Sequence, residues 1–490
     1  MDLRPYQISG IDHVRGLLAQ GKTKVLAVSP TGSGKTVMFC DVLRRAAERS
    51  KRALVLAHRS ELIEQTSEKL HRFETRHGII QAQRPLQLQH AIQVASVQTL
   101  INRPGLLGQV DLIVIDEAHH FTTANSYARI IGWWPQAVVL GFTATPWRLD
   151  GAGLADLFDA HVVISTPRKL RDEGHLVPVV GFEYSAIDTA GVKVSKGDYV
   201  ARELEAGAQK IYGDVVEQWK QHAGGVRSVL FACTVRHSEE MAAAFVRAGV
   251  PAEHLDGETP WLQRKAILRR LEAGETQVLC NVNVATEGWD LPALACAMLC
   301  RPTLSTSLAL QMVGRVLRPS PGKAFARIHD HARVLSTHGH PYVERDWSPE
   351  KSSKVERKAA ESNVKRGLRC LQCKAVIDKH PCPSCGFAPT PRELEMQREA
   401  AARALTDTPE FRKIRAQQEK QAQARASWQL KTASEKYFIF LGLARKLGFK
   451  PALGAFRRMS GESEWPSKEW KDQVLKEMSL VPRLAPAVYR

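Results

Sequence analysis

The chain has 490 residues, too many for a single core, and about three domains is the expectation for that length. Its 44% apolar and 24% charged residues are those of an ordinary soluble protein, with no apolar run long enough to span a bilayer and no signal-peptide pattern, so a membrane is excluded as a partner and the cytoplasm is the expected compartment. The net charge of +18 argues for a polyanionic partner, most simply nucleic acid, although basic surfaces also arise without one; nine cysteines in such a compartment argue for metal or burial rather than disulfides.

Leu3-Arg4-Pro5-Tyr6-Gln7 precedes a helical pattern of Ile8, Ile11, Val14, Leu17 and Leu18. A strand over Val25–Val28 then runs into Ser29-Pro30-Thr31-Gly32-Ser33-Gly34-Lys35-Thr36 and a helix-compatible stretch. Strand, glycine-rich turn and helix cradle phosphates, because successive backbone N–H groups and the positive end of the helix dipole converge on an anion. Lys35 reaches the outer phosphates in such a loop, and the Thr36 hydroxyl ligates magnesium. Ser29 stands where the general pattern has its first glycine, and a plain glycine-rich turn is the competing reading. A buried strand over Ala53–Ala57 follows, then Ser60 as a cap for an amphipathic helix over 61–73. Ile92–Ala95 gives a strand ended by Ser96-Val97-Gln98-Thr99. Leu112–Ile115 gives another, running into Asp116-Glu117-Ala118-His119, and Val138–Leu140 leads into Thr143-Ala144-Thr145-Pro146. This alternation predicts a parallel sheet with helices on both faces, and every polar cluster lies at a strand's carboxyl end, where such sheets bind ligands. Beside a phosphate loop, Asp116 can hold magnesium and Glu117 can orient and deprotonate the attacking water.

A second alternating set begins near Leu176–Val180: strand Ser228–Ala232, helix Ser238–Ala248, His254-Leu255-Asp256-Gly257, helix Trp261–Ala273, and strands Gln277–Val282 and Leu294–Cys300. It predicts a second α/β lobe without a phosphate loop. Thr286-Glu287-Gly288-Trp289-Asp290 follows a strand, and Gln311–Arg318 lies on a helical stretch that puts Arg315 and Arg318 on one face. Two guanidiniums so placed suit a phosphate, and a cation from a second lobe is what the first lobe's site lacks; a solvated basic helix end is the alternative.

Residues 345–369 are basic, and a solvated linker and a nucleic-acid track describe them equally. Cys370-x-x-Cys373, eight intervening residues and Cys382-x-x-Cys385 form two knuckles whose spacing indicates a structural, tetrahedral zinc site of four thiolates, with His380 not needed as a ligand. Cys40, Cys233, Cys280, Cys296 and Cys300 sit in apolar patterns and read as core. Residues 393–429 read as a polar helical arm interrupted at Pro409. The end of the chain, from Tyr437 and Phe438 through Trp465 and Trp470, reads as a small helical module whose aromatics form its core or a docking surface. The expected organisation is a first lobe over 1–165, a second over 166–335, a linker over 336–369, the knuckles over 370–386, the arm over 387–430 and the module over 431–490.

In their order, these motifs resemble the two RecA-like lobes of helicase superfamily 2, the DEAD/DEAH-box motors, over roughly residues 1–335. Arg4 and Gln7 stand as the adenine-side motif, Thr31–Thr36 as motif I, Leu56–Gln65 as Ia, Ser96–Leu100 as Ib, Asp116–His119 as the DEAH box and Thr143-Ala144-Thr145 as motif III. Ser228–Cys233, Thr286–Asp290 and Gln311–Arg318 stand as motifs IV, V and VI. The wording of 3–7, 54–58, 143–146 and 311–315 is similar to the RadD-like bacterial DNA-repair helicases, which also tend to carry cysteine knuckles after the motor. The resemblance implies that ATP is bound by Arg4, Gln7, Thr31, Gly32, Ser33, Gly34, Lys35 and Thr36, with Gly288, Asp290, Arg315 and Arg318 closing from the second lobe, that Thr36 and Asp116 hold magnesium, and that Glu117, Asp116, Lys35, Arg315 and Arg318 are catalytic. It implies a helicase or translocase gripping the sugar–phosphate backbone of nucleic acid, DNA ahead of RNA, in repair or replication, with replication or recombination proteins as partners. The alternatives are an ATPase that remodels protein–nucleic-acid complexes without unwinding, an RNA helicase, and a binding scaffold with relic lobes, against which the intact Lys35, Asp116, Glu117 and Arg315 speak. Glu287 and Trp289 depart from the family's motif V.

Overall fold

The computed structural model describes residues 2–390, except 149, 185–186, 190, 196, 206–211, 286–287, 351–367 and 374, together with 392–393, 436–441, 472–474 and 476. The chain divides into two units, Met1–Ala388 and Pro389–Arg490. Both lobes lie in the first. Lobe 1 holds strands β1 (Lys24–Val28), β2 (Ala53–Ala57), β3 (His77–Ile80), β4 (Ile92–Ser96), β5 (Leu112–Asp116), β6 (Val138–Thr143) and β7 (Ala160–Val163). They form one parallel sheet in the order β3-β4-β2-β5-β6-β1-β7. Helices cover both faces, so β2, β4 and β5 are buried at every position, and β2 and the Leu112–Ile115 part of β5 read as unbroken apolar runs rather than alternating ones.

Lobe 2 repeats the plan with β8 (Val179–Glu183), β11 (Ser228–Phe231), β12 (Ala252–Leu255), β13 (Val278–Asn281), β14 (Cys296–Leu299) and β15 (Ala326–Asp330); β9 (Val194–Ser195) and β10 (Asp198–Tyr199) form a separate small hairpin. The order is β12-β13-β11-β14-β15-β8, all parallel. One apolar cluster runs through both lobes, from Val25 and Phe39 to Val229 and Met312. Among the described residues no helix is long and apolar enough to cross a membrane.

The cysteine knuckles are not free-standing. One lies between β16 (Leu368–Arg369) and β17 (Val376–Ile377) and the other follows β17; the two strands form an antiparallel hairpin added to the open edge of β8 through Val376 and Gly181. Cys370, Ala375, Ile377 and Cys382 share a core with Val180 of lobe 2, too much apolar contact for a detached module. Nor is the start of the expected linker solvated. Residues 340–350 return to lobe 1, where Trp347 stacks on Trp147 at 5.7 Å, Trp147 Nε1 donates to the Ser348 carbonyl at 3.0 Å and Ala155 N donates to the Pro349 carbonyl at 3.1 Å. The basic stretch 351–367, Pro409 and most of the arm and terminal module lie outside the described residues. Of that module, residues 436–441 are helical, with Phe440 and Leu441 buried and Phe438 exposed.

Two helix ends differ from expectation. Ser60 is the first helical residue of Ser60–Arg72, not its cap; its Oγ accepts a hydrogen bond from Gln81 Nε2. The helix Thr306–Gly314 stops before Arg315, so the two arginines leave from a turn rather than one helical face. Gly314 is wedged against Thr31 of lobe 1, where a Cβ would lie 2.6 Å from Thr31 Cβ.

Candidate functional site

The phosphate loop leaves β1 at Ser29 and enters the helix Lys35–Glu48, with Gly32 and Gly34 at φ +86° and +81°. Both glycines are required. A Cβ on Gly32 would press on Arg318 Cγ and Leu176 Cδ2, each 3.1 Å away, and one on Gly34 would meet Gln7 Nε2 at 2.6 Å. The amino-terminal turn is bolted to this loop, since Tyr6 OH and Gln7 Nε2 both donate to the Ser33 carbonyl, at 2.6 and 2.8 Å. Gln7 Oε1 accepts from Arg4 N at 2.9 Å, so its amide is held on two sides. The hydroxyls of Ser29 and Ser33 are buried with no partner among the described residues. Orphaned hydroxyls, a cradle a Cβ would fill and a helix start beside Lys35 fit a polyphosphate.

Asp116 and Glu117 end β5. Glu117 takes φ +51°, a conformation a non-glycine residue keeps only under constraint. It stands 3.9 Å from Lys35 Nζ and 3.4 Å from His119 Nδ1, and its backbone N–H donates to Asp116 Oδ1 at 3.0 Å. His119 is buried and touches three motifs: Nδ1 lies 3.2 Å from Thr143 Oγ1, and Nε2 lies 3.2 Å from Gln311 Nε2 of lobe 2. Thr143 spends its own proton on the Thr145 carbonyl at 2.8 Å. The arrangement therefore suits the tautomer in which Nδ1 carries the proton and Nε2 accepts from Gln311. Thr143, His119 and Gln311 of the second lobe are thus hydrogen-bonded in series, with the Glu117 carboxylate 3.4 Å from the His119 ring.

From lobe 2, Arg315 Nη1 donates to the Trp289 carbonyl at 2.5 Å and Arg318 Nη2 to the same oxygen at 3.5 Å. Arg318 also pairs with Asp290, and burial brings it down to about 10. Gly288, at φ +74°, lies against Glu61, where a Cβ would stand 2.8 Å from Glu61 Cβ. Thr286 and Glu287 lie outside the described residues. The structure thus gathers the phosphate loop, Gln7, Asp116 and Glu117 opposite Arg315 and Arg318, with Asp290 paired to Arg318, whereas Gly288 sits against Glu61 and not against this loop. Arg4 stays exposed at the rim.

A second cleft, of about 680 Å³, lies between Arg59–Glu61 of lobe 1 and three loops of lobe 2 around Val235, Asp256–Trp261 and Val282–Val284. Arg59 Nη1 donates to the Asn283 carbonyl at 2.8 Å, and Glu61 pairs with Arg264 across the lobes.

The four knuckle sulfurs lie within 4.8 Å of one another, with Cys370–Cys385 at 3.6 Å and Cys373–Cys382 at 3.7 Å. Tetrahedral zinc with bonds of about 2.3 Å sets its sulfurs about 3.8 Å apart, so the set fits that ion. The Arg171–Asp378 ion pair, both partners nearly buried, ties the knuckle to the helix Pro167–Asp172 between the lobes. The other five cysteines are buried, and burial pushes the Cys233 and Cys296 thiols up to about 12.

Tyr6, His119, Trp289, Arg264 and Lys323 hold the site together yet were not singled out as site residues from sequence. Tyr6 and His119 lay inside recognised motifs and could have been included. Trp289 lies inside motif V but contributes only its backbone carbonyl, and Arg264 and Lys323 act on backbone carbonyls or on a partner far away in the chain.

A model of the "Type III restriction enzyme, res subunit" family matches residues 1–148, and one of the "Helicase conserved C-terminal domain" matches 211–320. The "51.5 kDa protein" of Lactococcus phage (isolate 7-9) is 31% identical over 413 residues, covering 83% of this chain and 88% of that protein. The "Putative ATP-dependent helicase IRC3" of Saccharomyces cerevisiae is 29% identical over 67% of this chain, which spans only 51% of its length. Among solved structures, a fragment of an HsdR subunit of a type I restriction enzyme from Vibrio vulnificus YJ016 superposes with a TM-score of 0.56 at 22% identity, over 71% of this chain and 67% of that one. A Saccharomyces cerevisiae Dbp5 variant bound to RNA and ADP BeF3 superposes at 0.50 and 17%, over 69% and 92%. These two likenesses concern the fold.

Proposed function

The chain belongs to helicase superfamily 2 and is a nucleic-acid-dependent ATPase by its two helicase domains, and from that premise we propose an ATP-driven DNA translocase or helicase acting in repair or replication. The observation that carries the reading is the contact chain that runs from Glu117, 3.4 Å from the His119 ring, through His119 to its hydrogen bond with Gln311, which links the carboxylate to the opposite lobe. Lys35 and the loop amides would hold the phosphates, and Thr36 and Asp116 would hold a magnesium ion, whose charge would offset that of the phosphates. Glu117 orients the attacking water and takes its proton. Arg315 and Arg318 exchange the Trp289 carbonyl for the phosphoryl charge, an interaction worth roughly 10³–10⁵ in rate for an arginine finger. Loss of that contact after hydrolysis lets the lobes part, a ligand-biased hinge. The knuckle's zinc is structural, and closer kinship to the RadD-like repair helicases rests on the wording of the motifs.

An RNA helicase, or a remodelling ATPase that does not unwind, is the second reading; the TM-score of 0.50 against the RNA-bound Dbp5 variant concerns the shared fold alone. Hydrolysis measured alone and with single-stranded DNA, duplex DNA or RNA, beside a strand-displacement assay, separates these. Stimulation by DNA with displacement is expected; no stimulation by any nucleic acid refutes the motor, and stimulation by RNA alone refutes the DNA reading.

A further inference from the structure

Resting on that nucleic-acid reading, we propose that the cleft between the lobes holds unstacked bases, with the Trp261 indole as a stacking platform, so that the preferred substrate is a single strand. The charge of the cleft points there. In a chain of net charge +18, a backbone-gripping surface should be basic. The described residues lining this cleft instead set two guanidiniums, Arg59 and Arg264, against three carboxylates, Glu61, Asp256 and Glu258.

Both arginines are already engaged. Arg264 pairs with Glu61 and donates to the carbonyls of Asp256 at 3.1 Å and Gly257 at 3.3 Å, while Arg59 reaches those of Asn283 and Val284. Asp256 is held ionised: burial works against its charge, but the hydroxyl and N–H of Thr259 outweigh that and keep its carboxyl below the usual range. Such a lining offers little to a phosphate.

To a base it offers apolar walls. Val235 is 41% exposed, Val282 and Val284 line the same cleft, and so does Trp261, at the start of the helix Trp261–Ala273. Lys265, one turn on, sits over the Trp261 ring at 4.7 Å, and Leu262 beside it is 80% exposed, the most open large apolar side chain among the described residues. A half-buried indole fixed by a lysine and flanked by apolar surface is how single-strand binders stack bases, and a paired duplex base cannot present its face to it.

The test compares binding of the full chain, by fluorescence anisotropy, to a deoxythymidine strand of about 20 nucleotides and to an abasic strand of equal length and charge. Removing one stacking residue costs about 5- to 150-fold per base. The wild type should prefer the base-bearing strand by at least the lower figure, Trp261→Ala should lose most of that preference, and Trp261→Phe should keep it. Thermal melting of each variant checks the fold, and Trp261→Phe preserves an aromatic face if the alanine variant misfolds. Equal wild-type binding to both strands, or an undiminished preference in Trp261→Ala, overturns the platform while leaving the motor intact. Binding to neither strand, with no nucleic acid raising turnover, overturns the motor reading itself.

Discussion

Lys323 shows how far a positioning role can lie from any motif. Its ammonium donates to the carbonyls of Pro292 at 3.0 Å, Arg318 at 2.7 Å and Leu294, tying the segment of Asp290 to that of Arg318. Three acceptors need three donors, so only the charged form completes the set. Burial, with Arg318 adding repulsion, brings this lysine down to about 7. The charged form is thus lost as pH rises through that value, and ATP turnover should fall with it. Lys323→Met should lower turnover about tenfold, the scale of one hydrogen bond to a charged group, and lack that step in its pH profile. Unchanged turnover would refute the role. At the phosphate loop, Lys35→Ala should weaken ATP binding. Glu117→Gln should leave ATP bound while slowing hydrolysis by about 10²–10⁴, read in single-turnover assays. The acids and the loop were legible because their chemistry demands neighbours in sequence. Lys323 and the Trp289 carbonyl were not, because a backbone acceptor has no residue identity.

Elements were legible where burial on both faces writes an unbroken apolar run, as in β2 and β5, and the helix Trp261–Ala273 has its expected bounds. They were illegible where another segment decides. Gly314 ends its helix against Thr31, and the two-residue strands β16 and β17 are too short to show a period. The knuckle's attachment changes what removing its metal does. Because Cys370 and Cys382 pack with Val180, and Asp378 is paired with Arg171, losing the ion should loosen the edge of lobe 2 and not just a peripheral loop. Metal analysis should give about one zinc per chain, and Cys382→Ser should abolish it with a lowered melting temperature. An unaltered zinc content in that variant would refute the site.

Across the whole molecule the two-lobe plan was legible from motif order, whereas the cost of burying its histidines was not. His329 stands edge-on to Phe182 at 5.6 Å, with both ring nitrogens buried and lacking a partner among the described residues, and His331 stacks on Tyr184 at 4.7 Å. Burial brings His329 down to about 3, and brings His331 and His237 to about 4. The folded chain keeps these rings neutral while the unfolded chain protonates them near pH 6.5, so between those limits the unfolded state binds more protons. Their stability contribution is complete above about pH 6.5 and drains as pH falls, each by up to about 1.4 kcal/mol per pH unit. Asp330 works the other way: burial raises it to about 6, so it favours the fold as pH drops below that value, but it is one group against these three and His340, which burial also brings down to about 3. Denaturant midpoints should therefore fall steadily from about pH 6.5 toward pH 5. His329→Leu should soften that fall by about one proton's worth, and a midpoint flat across the acid range would show that these rings are solvated after all.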